Sequence, residues 1–271
     1  MSLVETAWLE KNLDHVKIID CSWHMPQAKR NGYKEYNENH IPNSVFFDLD
    51  KNSKKDTNLP HMLVSSDEWE KIVSDMGIDN DDQIVIYDNS DVISSCRCWY
   101  NFIYFGHKPE LVKVLNGGFK KWVNENKITE TKIPKNERTK YKANEKKYLV
   151  KNKKEIEKNI ITKQFDVIDA RNIERFRGQV NEPRAGLRSG NIKNSSCIPF
   201  NQLININKTF KTKKEIVQIF NKNLKDIVSD NVIFSCGSGV TACVLALAYS
   251  LINDKYLPKI YDGSWAEYGK I

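Results

Sequence analysis

The sequence predicts an α/β protein made of two tandem domains, each with a central, mainly parallel sheet flanked by helices. The first observation is the pattern of elements, since short apolar runs such as Ile84–Tyr87 and Val232–Ser235 alternate with stretches of helical periodicity. The second is a repeat of motifs between the two halves of the chain. Ligands of parallel sheets bind beyond the carboxyl ends of the strands, so the residues that follow these runs are site candidates.

Three motifs occur once in each half and indicate a duplicated domain of roughly 120 to 140 residues. Residues 18–21, 84–88 and 115–119 echo residues 167–170, 232–236 and 260–264. The repeat places Asp88 at the position of Cys236. Because a carboxylate cannot do the chemistry of a thiolate, we expect one catalytic and one non-catalytic domain. The predicted boundaries are 1–125 for the non-catalytic domain, 126–158 for a charged linker and 159–271 for the catalytic domain.

Composition limits the classes of function. With 271 residues, 40% of them hydrophobic, the chain resembles an ordinary soluble protein, and no apolar stretch approaches the length of a membrane span. The net charge of +7 comes from scattered lysines, so neither nucleic acid nor a membrane is an expected partner. The six cysteines, at 21, 96, 98, 197, 236 and 243, show no disulfide framework or zinc spacing. Without a basic or apolar leader, the expected location is the cytoplasm.

Cys236 stands between the apolar run Val232–Ser235 and an apolar helical stretch at 240–251. The intervening Gly-Ser-Gly is therefore predicted to be a tight turn between strand and helix, with its backbone amides pointing inward. Such a nest of amides at the start of a helix favours negative charge, and hence the thiolate form of the cysteine. The alternative interpretation is a buried structural cysteine.

The composition of this loop argues against two other cysteine chemistries. Cysteine phosphatases need a cation six positions after the nucleophile, and residue 242 is alanine. A dithiol redox site needs a Cys-x-x-Cys pattern, whereas Cys243 lies two turns along the helix and is expected in the core. What remains is a nucleophile cradled by uncharged amides, which suits an anionic adduct on its sulfur.

Four arginines occur within fourteen residues of a lysine-rich chain, at 175, 177, 184 and 188. A guanidinium group pairs bidentately with a carboxylate, so a keto acid is a suitable class of substrate. Glycines and Pro183 indicate a loop that follows the strand Val167–Asp169, at the same sheet edge as Cys236. The alternative interpretation is a solvated basic loop.

The Cys-Gly-Ser-Gly-Val-Thr-Ala motif at 236–242 resembles that of the two-domain rhodanese-like sulfurtransferases, in the form carried by members that use 3-mercaptopyruvate. The resemblance covers essentially the whole chain, up to the Tyr-Asp-Gly-Ser-Trp motif at 261–265. Members that prefer thiosulfate usually carry basic residues in the cysteine loop, where this chain has Gly237 and Ser238. The resemblance therefore implies a rhodanese-like fold for each domain and 3-mercaptopyruvate as the donor.

The resemblance also implies roles for individual residues. It assigns the substrate-binding pair to Arg175 and Arg184, and structural roles to Arg177 and Arg188. It further assigns a triad in which an aspartate and a histidine of the first half act on the serine of the cysteine loop. The catalytic residues so implied are Cys236, Ser238, His61 and Asp50, and the other substrate-binding positions are Gly237, Gly239, Val240 and Thr241.

The expected reaction moves the sulfur of 3-mercaptopyruvate through a Cys236 persulfide to an acceptor, with release of pyruvate. The expected acceptors are cyanide or a thiol, such as thioredoxin or a low-molecular-weight thiol, and no metal or organic cofactor is required. Two alternatives stay open at this point. The first alternative is a thiosulfate sulfurtransferase, which differs only in the donor. The second is a non-catalytic sulfur-binding or interaction protein.

Overall fold

The structure, a computed structural model, describes residues 2–224, 226–227 and 229–271. The chain divides into two compact units, and each unit is assembled from separate stretches of sequence. The first unit comprises Met1–Lys54, Leu63–Lys146 and Ile206–Thr209, and the second comprises Lys55–Met62, Lys147–Asn205 and Phe210–Ile271. Within the described residues, no helix has both the length and the apolar character needed to cross a membrane.

The first unit contains a parallel sheet of five strands in the order β1-β5-β4-β2-β3. The strands are β1 (Leu3–Val4), β2 (Lys17–Asp20), β3 (Ser44–Phe46), β4 (Ile84–Tyr87) and β5 (Val112–Leu115). The helices between and after them are α1 (Thr6–Glu10), α2 (Gly32–Glu38), α3 (Ser66–Asp75), α4 (Ser95–Tyr104) and α5 (Gly118–Asn124).

The second unit repeats this topology, with five parallel strands in the order β6-β10-β9-β7-β8. The strands are β6 (Val150–Lys151), β7 (Asp166–Asp169), β8 (Ser196–Cys197), β9 (Val232–Ser235) and β10 (Ile260–Tyr261). The helices are α6 (Lys153–Thr162), α7 (Ile173–Phe176), α8 (Lys213–Asn221), α9 (Ala242–Ser250) and α10 (Ser264–Tyr268). The prediction of two α/β domains with parallel sheets is confirmed.

The central strands are apolar because helices cover both faces of a parallel sheet. All four residues of β4 and of β9 are buried. Helix α9 is apolar around its circumference, and its first eight residues are buried. A tryptophan completes each core: Trp122 packs in the cluster that contains Val85, and Trp265 in the cluster that contains Ile233. These cores fix the ends of β4 and β9, where the two sequence halves differ in chemistry.

Three helices begin at capping boxes, in which the cap side chain and the third helical residue satisfy each other's backbone amides. Ser65 with Glu68 begins α3, Asn152 with Glu155 begins α6, and Thr212 with Glu215 begins α8. Each pair stands three residues apart in the sequence, so local chemistry alone defines where these helices begin.

The sheet registers confirm two of the three repeated motifs and shift the third by one residue. Asp20 lies opposite Tyr87 in the first sheet, as Asp169 lies opposite Ser235 in the second. After β5 and β10, however, the counterpart of Gly118 is Ser264, which adopts the same left-handed backbone (φ 49°, against 56° for Gly118). The predicted alignment matched Gly118 with Gly263, one residue earlier, because it paired the two glycines by residue type.

The predicted linker at 126–158 differs from the observed structure. Residues 126–146 belong to the first unit, where the buried Tyr141 donates its amide to Ser74 Oγ at 3.0 Å. Residues 147–162 belong to the second unit and contain β6 and α6. Helix α6 was not predicted because its sequence is rich in lysine. Its packing depends on few apolar residues, such as the fully buried Ile156. The boundaries 1–125 and 159–271 also miss the segment Lys55–Met62, which joins the second unit.

Candidate active site

The loop after β9 holds Cys236 at the carboxyl edge of the sheet, directly before α9. Cys236 is 2% exposed. Its amide donates to Ser264 Oγ at 3.1 Å, and its carbonyl accepts from the amide of Trp265 at 3.0 Å. The carbonyl of Gly237 likewise accepts from the amide of Ala266 at 2.8 Å. The first turn of α10 thus anchors the cysteine backbone and engages the loop carbonyls, which leaves the loop amides to face elsewhere.

Most of the loop amides lack an internal acceptor. Within the described residues, the amides of Gly237, Ser238, Val240 and Thr241 donate to no protein atom. Gly239 adopts a left-handed backbone (φ 76°), which turns the chain from the strand direction into α9. A run of amide donors at the start of a nine-residue helix is a favourable place for negative charge. The predicted cradle for an anionic adduct on Cys236 is therefore present.

Ser238 is buried beside Cys236, and its hydroxyl has two polar neighbours. His61 Nδ1 lies 3.0 Å from Ser238 Oγ, and Arg184 Nη2 donates to the same oxygen at 3.3 Å. His61 is 5% exposed and adopts a left-handed backbone (φ 60°), which is uncommon outside glycine. His61 belongs to the segment that joins the second unit, so the predicted His61–Ser238 pair lies within one compact unit.

Arg175 and Arg184 converge on the cysteine loop. A methyl group placed on Gly237 would lie 3.2 Å from Arg175 Nη2 and 3.6 Å from Arg184 Nη1. Glycine at 237 therefore leaves space directly under both guanidinium groups. The position of the two predicted substrate-binding residues beside the loop supports their assignment over a solvated basic loop.

A largely buried ionic network, which no sequence pattern predicted, includes Arg175. Arg171 follows β7 and pairs with Asp169, with its Nη2 at 2.7 Å from Oδ2, and with Glu182, with its Nη1 at 2.7 Å from Oε1. Glu182 in turn accepts from Arg175, whose Nη2 lies 2.6 Å from Oε2. Burial lowers the pKa of Arg171, but the two carboxylates outweigh this and raise its pKa above the usual value. The available signal was the Asp-Ala-Arg sequence at the end of a buried strand.

The other predicted residues lie as follows. Arg177 is exposed, and the guanidinium of Arg188 stacks on the rings of Trp265 (4.7 Å) and Tyr268 (5.2 Å), a packing role that agrees with the prediction for Arg188. Asp50 is exposed in the first unit and accepts from Trp23 Nε1 at 2.9 Å. Its contact with His61 stays a prediction.

A cavity of about 260 Å³ adjoins this constellation within the second unit. Arg184 forms part of its wall, together with Pro60, Ala266 and Lys270. Pro60 precedes His61, and Ala266 donates its amide to the cysteine loop, so the cavity borders the site on several sides. A small molecule has room to approach Arg184 from this direction.

Comparison with known proteins agrees with this geometry. The family model of the rhodanese-like domain matches residues 5–125. The Arabidopsis thaliana protein named thiosulfate/3-mercaptopyruvate sulfurtransferase 1, mitochondrial, is 38% identical over 98% of this chain and 75% of its own length. This chain belongs to the rhodanese-like sulfurtransferase family. The predicted family is thereby confirmed.

Some relatives of this sulfurtransferase are named for 3-mercaptopyruvate and others for thiosulfate. The 3-mercaptopyruvate sulfurtransferase of Mus musculus is 33% identical, and the thiosulfate sulfurtransferase of Rattus norvegicus is 34% identical. Each alignment covers 98% of this chain and 91% of the relative. Because the two identities are nearly equal, overall similarity does not distinguish between the donors, and the residues of the site must do so.

Solved structures show the same fold. The Escherichia coli protein SseA, described as a 3-mercaptopyruvate sulfotransferase with the rhodanese fold, superposes with a TM-score of 0.87 at 30% identity, over 98% of this chain and all of that one. The sulfur transferase subunit of yeast mitochondrial complex I gives 0.87 at 31% identity, over 99% of this chain and 96% of that one. The two tandem rhodanese-like domains of this sulfurtransferase are therefore established.

Proposed function

We propose that this sulfurtransferase uses 3-mercaptopyruvate as its donor and carries the sulfur as a persulfide on Cys236. The observation that carries the proposal is the convergence of Arg175 and Arg184 over Gly237. Two guanidinium groups can bind the carboxylate and the carbonyl oxygen of an α-keto acid together, and each charged hydrogen bond contributes roughly 1.5 to 3 kcal/mol. The cysteine loop itself carries no cation, which suits a donor with a single negative charge.

In the first half-reaction, the Cys236 thiolate attacks the sulfur of the donor. An S–S bond forms, the C–S bond breaks, and its electron pair moves to the carbon as an enolate of pyruvate. The arginines stabilise the enolate oxygen, because charge develops there as the bond breaks. The proton of the donor thiol ends on the methyl carbon of pyruvate, and the outer sulfur of the persulfide carries the negative charge within the amide cradle.

Ser238 and His61 are suited to move that proton. The 3.0 Å contact between His61 Nδ1 and Ser238 Oγ lets the imidazole polarise the hydroxyl. In the proposed triad, Asp50 orients His61. Asp50 is the weakest member of this assignment, because its carboxylate accepts a hydrogen bond from Trp23 and its contact with His61 is itself part of the proposal.

In the second half-reaction, an acceptor thiolate attacks the outer sulfur and restores the Cys236 thiolate, and cyanide reacts in the same way to give thiocyanate. Thioredoxin or a low-molecular-weight thiol serves as the thiol acceptor. The cavity beside Arg184 supports entry of small acceptors. The covalent intermediate implies ping-pong kinetics, and neither half-reaction requires a metal or an organic cofactor.

The proposal extends to the arrangement and the location of the protein. The second unit is catalytic, and the first unit, with Asp88 at the position of Cys236, is non-catalytic. The proposed location is the cytoplasm.

Thiosulfate is the second candidate donor, because a relative of that name is as similar as the mercaptopyruvate enzymes. Intact mass of the protein after brief incubation with each donor, with pyruvate release followed in parallel, separates the two. We expect 3-mercaptopyruvate to add the mass of one sulfur atom and to release pyruvate, and Cys236→Ser to gain nothing. Loading by thiosulfate alone would refute the donor assignment, and loading by neither would favour a binding protein.

A further inference from the structure

Glu182 is a buried carboxylate that both proposed half-reactions leave without a role. Its side chain is 1% exposed, and both of its oxygens are occupied by arginines. Oε1 accepts from Arg171 at 2.7 Å and Oε2 from Arg175 at 2.6 Å, while Arg175 Nε adds a third contact to Oε1 at 3.2 Å. Glu182 therefore holds Arg175 through two of its nitrogens, Nε and Nη2.

These contacts with Glu182 fix the orientation of Arg175. Its side chain is 18% exposed, so water reaches part of the guanidinium, yet two of its nitrogens are held by one carboxylate. Nη2, which donates to Glu182, is also the atom nearest to Gly237. A guanidinium with five donors retains further N–H groups for a ligand when two are engaged in this way.

Pairing with Glu182 also lowers the net positive charge of the donor site. Two carboxylates, Asp169 and Glu182, and two guanidinium groups, Arg171 and Arg175, form one connected network whose charges cancel. Asp169 and Arg171 are almost completely buried, so solvent screens their part of the network little. Arg175 consequently offers hydrogen-bond donors to a ligand, while the network as a whole adds no positive charge.

We propose that Glu182 determines which donor the enzyme accepts by matching the charge of the site to a monoanion. This inference rests on the proposed function, in which the donor binds at Arg175 and Arg184. The carboxylate of Glu182 repels every negative charge that a donor brings to Arg175. 3-Mercaptopyruvate brings one such charge and thiosulfate brings two, so Glu182 opposes thiosulfate more strongly.

The test compares kcat/KM for both donors in the wild type and in Glu182→Gln. Removal of one charge a few ångströms from the donor should raise the thiosulfate to mercaptopyruvate ratio roughly tenfold. The ratio is the informative quantity, because any loss of folded protein or of arginine alignment lowers both rates together. In Glu182→Gln, moreover, the KM for thiosulfate should fall relative to that for mercaptopyruvate.

Two variants separate charge from position. Glu182→Asp keeps the charge and shortens the side chain, so it should weaken both donors equally and leave the ratio unchanged. Glu174→Gln removes the same charge from an exposed residue of α7, where solvent screens it, and should leave both rates near those of the wild type.

The outcomes distinguish this inference from the proposed function. If the wild type accepts mercaptopyruvate and Glu182→Gln keeps the wild-type ratio, the inference is wrong and the proposed function stands. If Glu182→Asp shifts the ratio as much as Glu182→Gln, position and not charge is responsible, and the inference is again wrong. If neither donor loads Cys236 in the wild type, the proposed function itself has failed.

Discussion

The loops that follow β4 and β9 share a backbone arrangement and differ in the residue at the end of the strand. In the first unit, the carbonyl of Asp88 accepts from the amide of Phe119 at 2.9 Å, as the carbonyl of Cys236 accepts from Trp265 at 3.0 Å in the second. The Asp88 carboxylate then accepts from two amides of its own loop and helix, those of Ser90 at 2.9 Å and Ser95 at 2.7 Å. The amides of the loop after β4 thus bind a carboxylate of the same loop, that of Asp88.

In the second unit the amides of Gly237 and Ser238 donate to no protein atom within the described residues, and a thiol stands in place of the carboxylate. The same backbone therefore serves two purposes. After β4 it binds the negative charge of the Asp88 carboxylate, and after β9 it can bind the negative charge that forms on the Cys236 sulfur during the reaction. The comparison indicates that the anion cradle belongs to the repeated fold, while the reactivity depends on one residue.

The largest expected effect follows from making the second loop resemble the first. Cys236→Asp should abolish sulfur transfer, because a carboxylate cannot form a persulfide. Its new carboxylate should accept the open loop amides, so the unfolding temperature should be at least that of Cys236→Ser. Activity assays and thermal unfolding measure the two effects. An unfolding temperature more than about 5 °C below that of Cys236→Ser, on the order of 1 to 2 kcal/mol, would show that the loops are not equivalent.

The arginines beside the two loops also differ in the proposed role. Arg30 donates to the carbonyl of Asn89 in the first unit, whereas Arg175 and Arg184 bind the donor beside Cys236 in our proposal. Arg175→Lys and Arg184→Lys should each lower kcat/KM for 3-mercaptopyruvate about a hundredfold, because an ammonium group cannot replace the planar fork of donors. Steady-state kinetics measure this loss. Arg177→Lys is the matched control, since Arg177 is exposed on the same segment, and an equal loss there would argue against a specific role for the pair.

A smaller effect is expected at Ser238, whose counterpart in the first unit is Ser90. Ser238→Ala removes the hydroxyl that contacts His61 and Arg184, and kcat should fall roughly tenfold to a hundredfold if this hydroxyl moves a proton. Ser90→Ala removes a hydroxyl that contacts the Asp88 carboxylate and Ser94, and should leave kcat within about twofold. Similar values of kcat for the two variants would exclude the proton route.

Local patterns predicted the parts of the site that depend on neighbouring residues in the chain. The strand, turn and helix around Cys236 follow from an apolar run, two glycines and a second apolar run. The density of arginines identified the substrate loop, whereas the choice of Arg175 and Arg184 within it came from the family resemblance. The site residue His61 was identified only through a family resemblance, since a lone histidine beside a proline has no distinctive local signal.

Tertiary contacts determined the parts that sequence analysis missed. Glu182 and Arg171 stand eleven residues apart, and their pairing depends on the path of the loop between them. Ser264 adopts a backbone conformation that its residue type does not suggest, because its hydroxyl is held between the amide of Cys236 and the carbonyl of Tyr261. Such roles depend on where other elements lie, which no local pattern records.

The smallest effect concerns the aspartates at the ends of β2 and β7. Asp169 accepts from the amide of Arg171 and pairs with its guanidinium. Asp20, at the same register, accepts from the amide of Ser22 and forms no ion pair within the described part of the chain. Burial raises the pKa of Asp20 to about 7, and the neighbouring Asp88 carboxylate adds to the rise.

The folded state therefore holds a proton on Asp20 more tightly than the unfolded chain does. The stability from this group is present below about pH 4 and is lost as the pH rises to about 7, at roughly 1 kcal/mol per pH unit. Asp20→Asn, which cannot ionise, should lose less stability between pH 5 and pH 7 than the wild type. Thermal unfolding across this range measures the difference, and parallel curves for the two proteins would show that Asp20 is ionised in the folded state throughout.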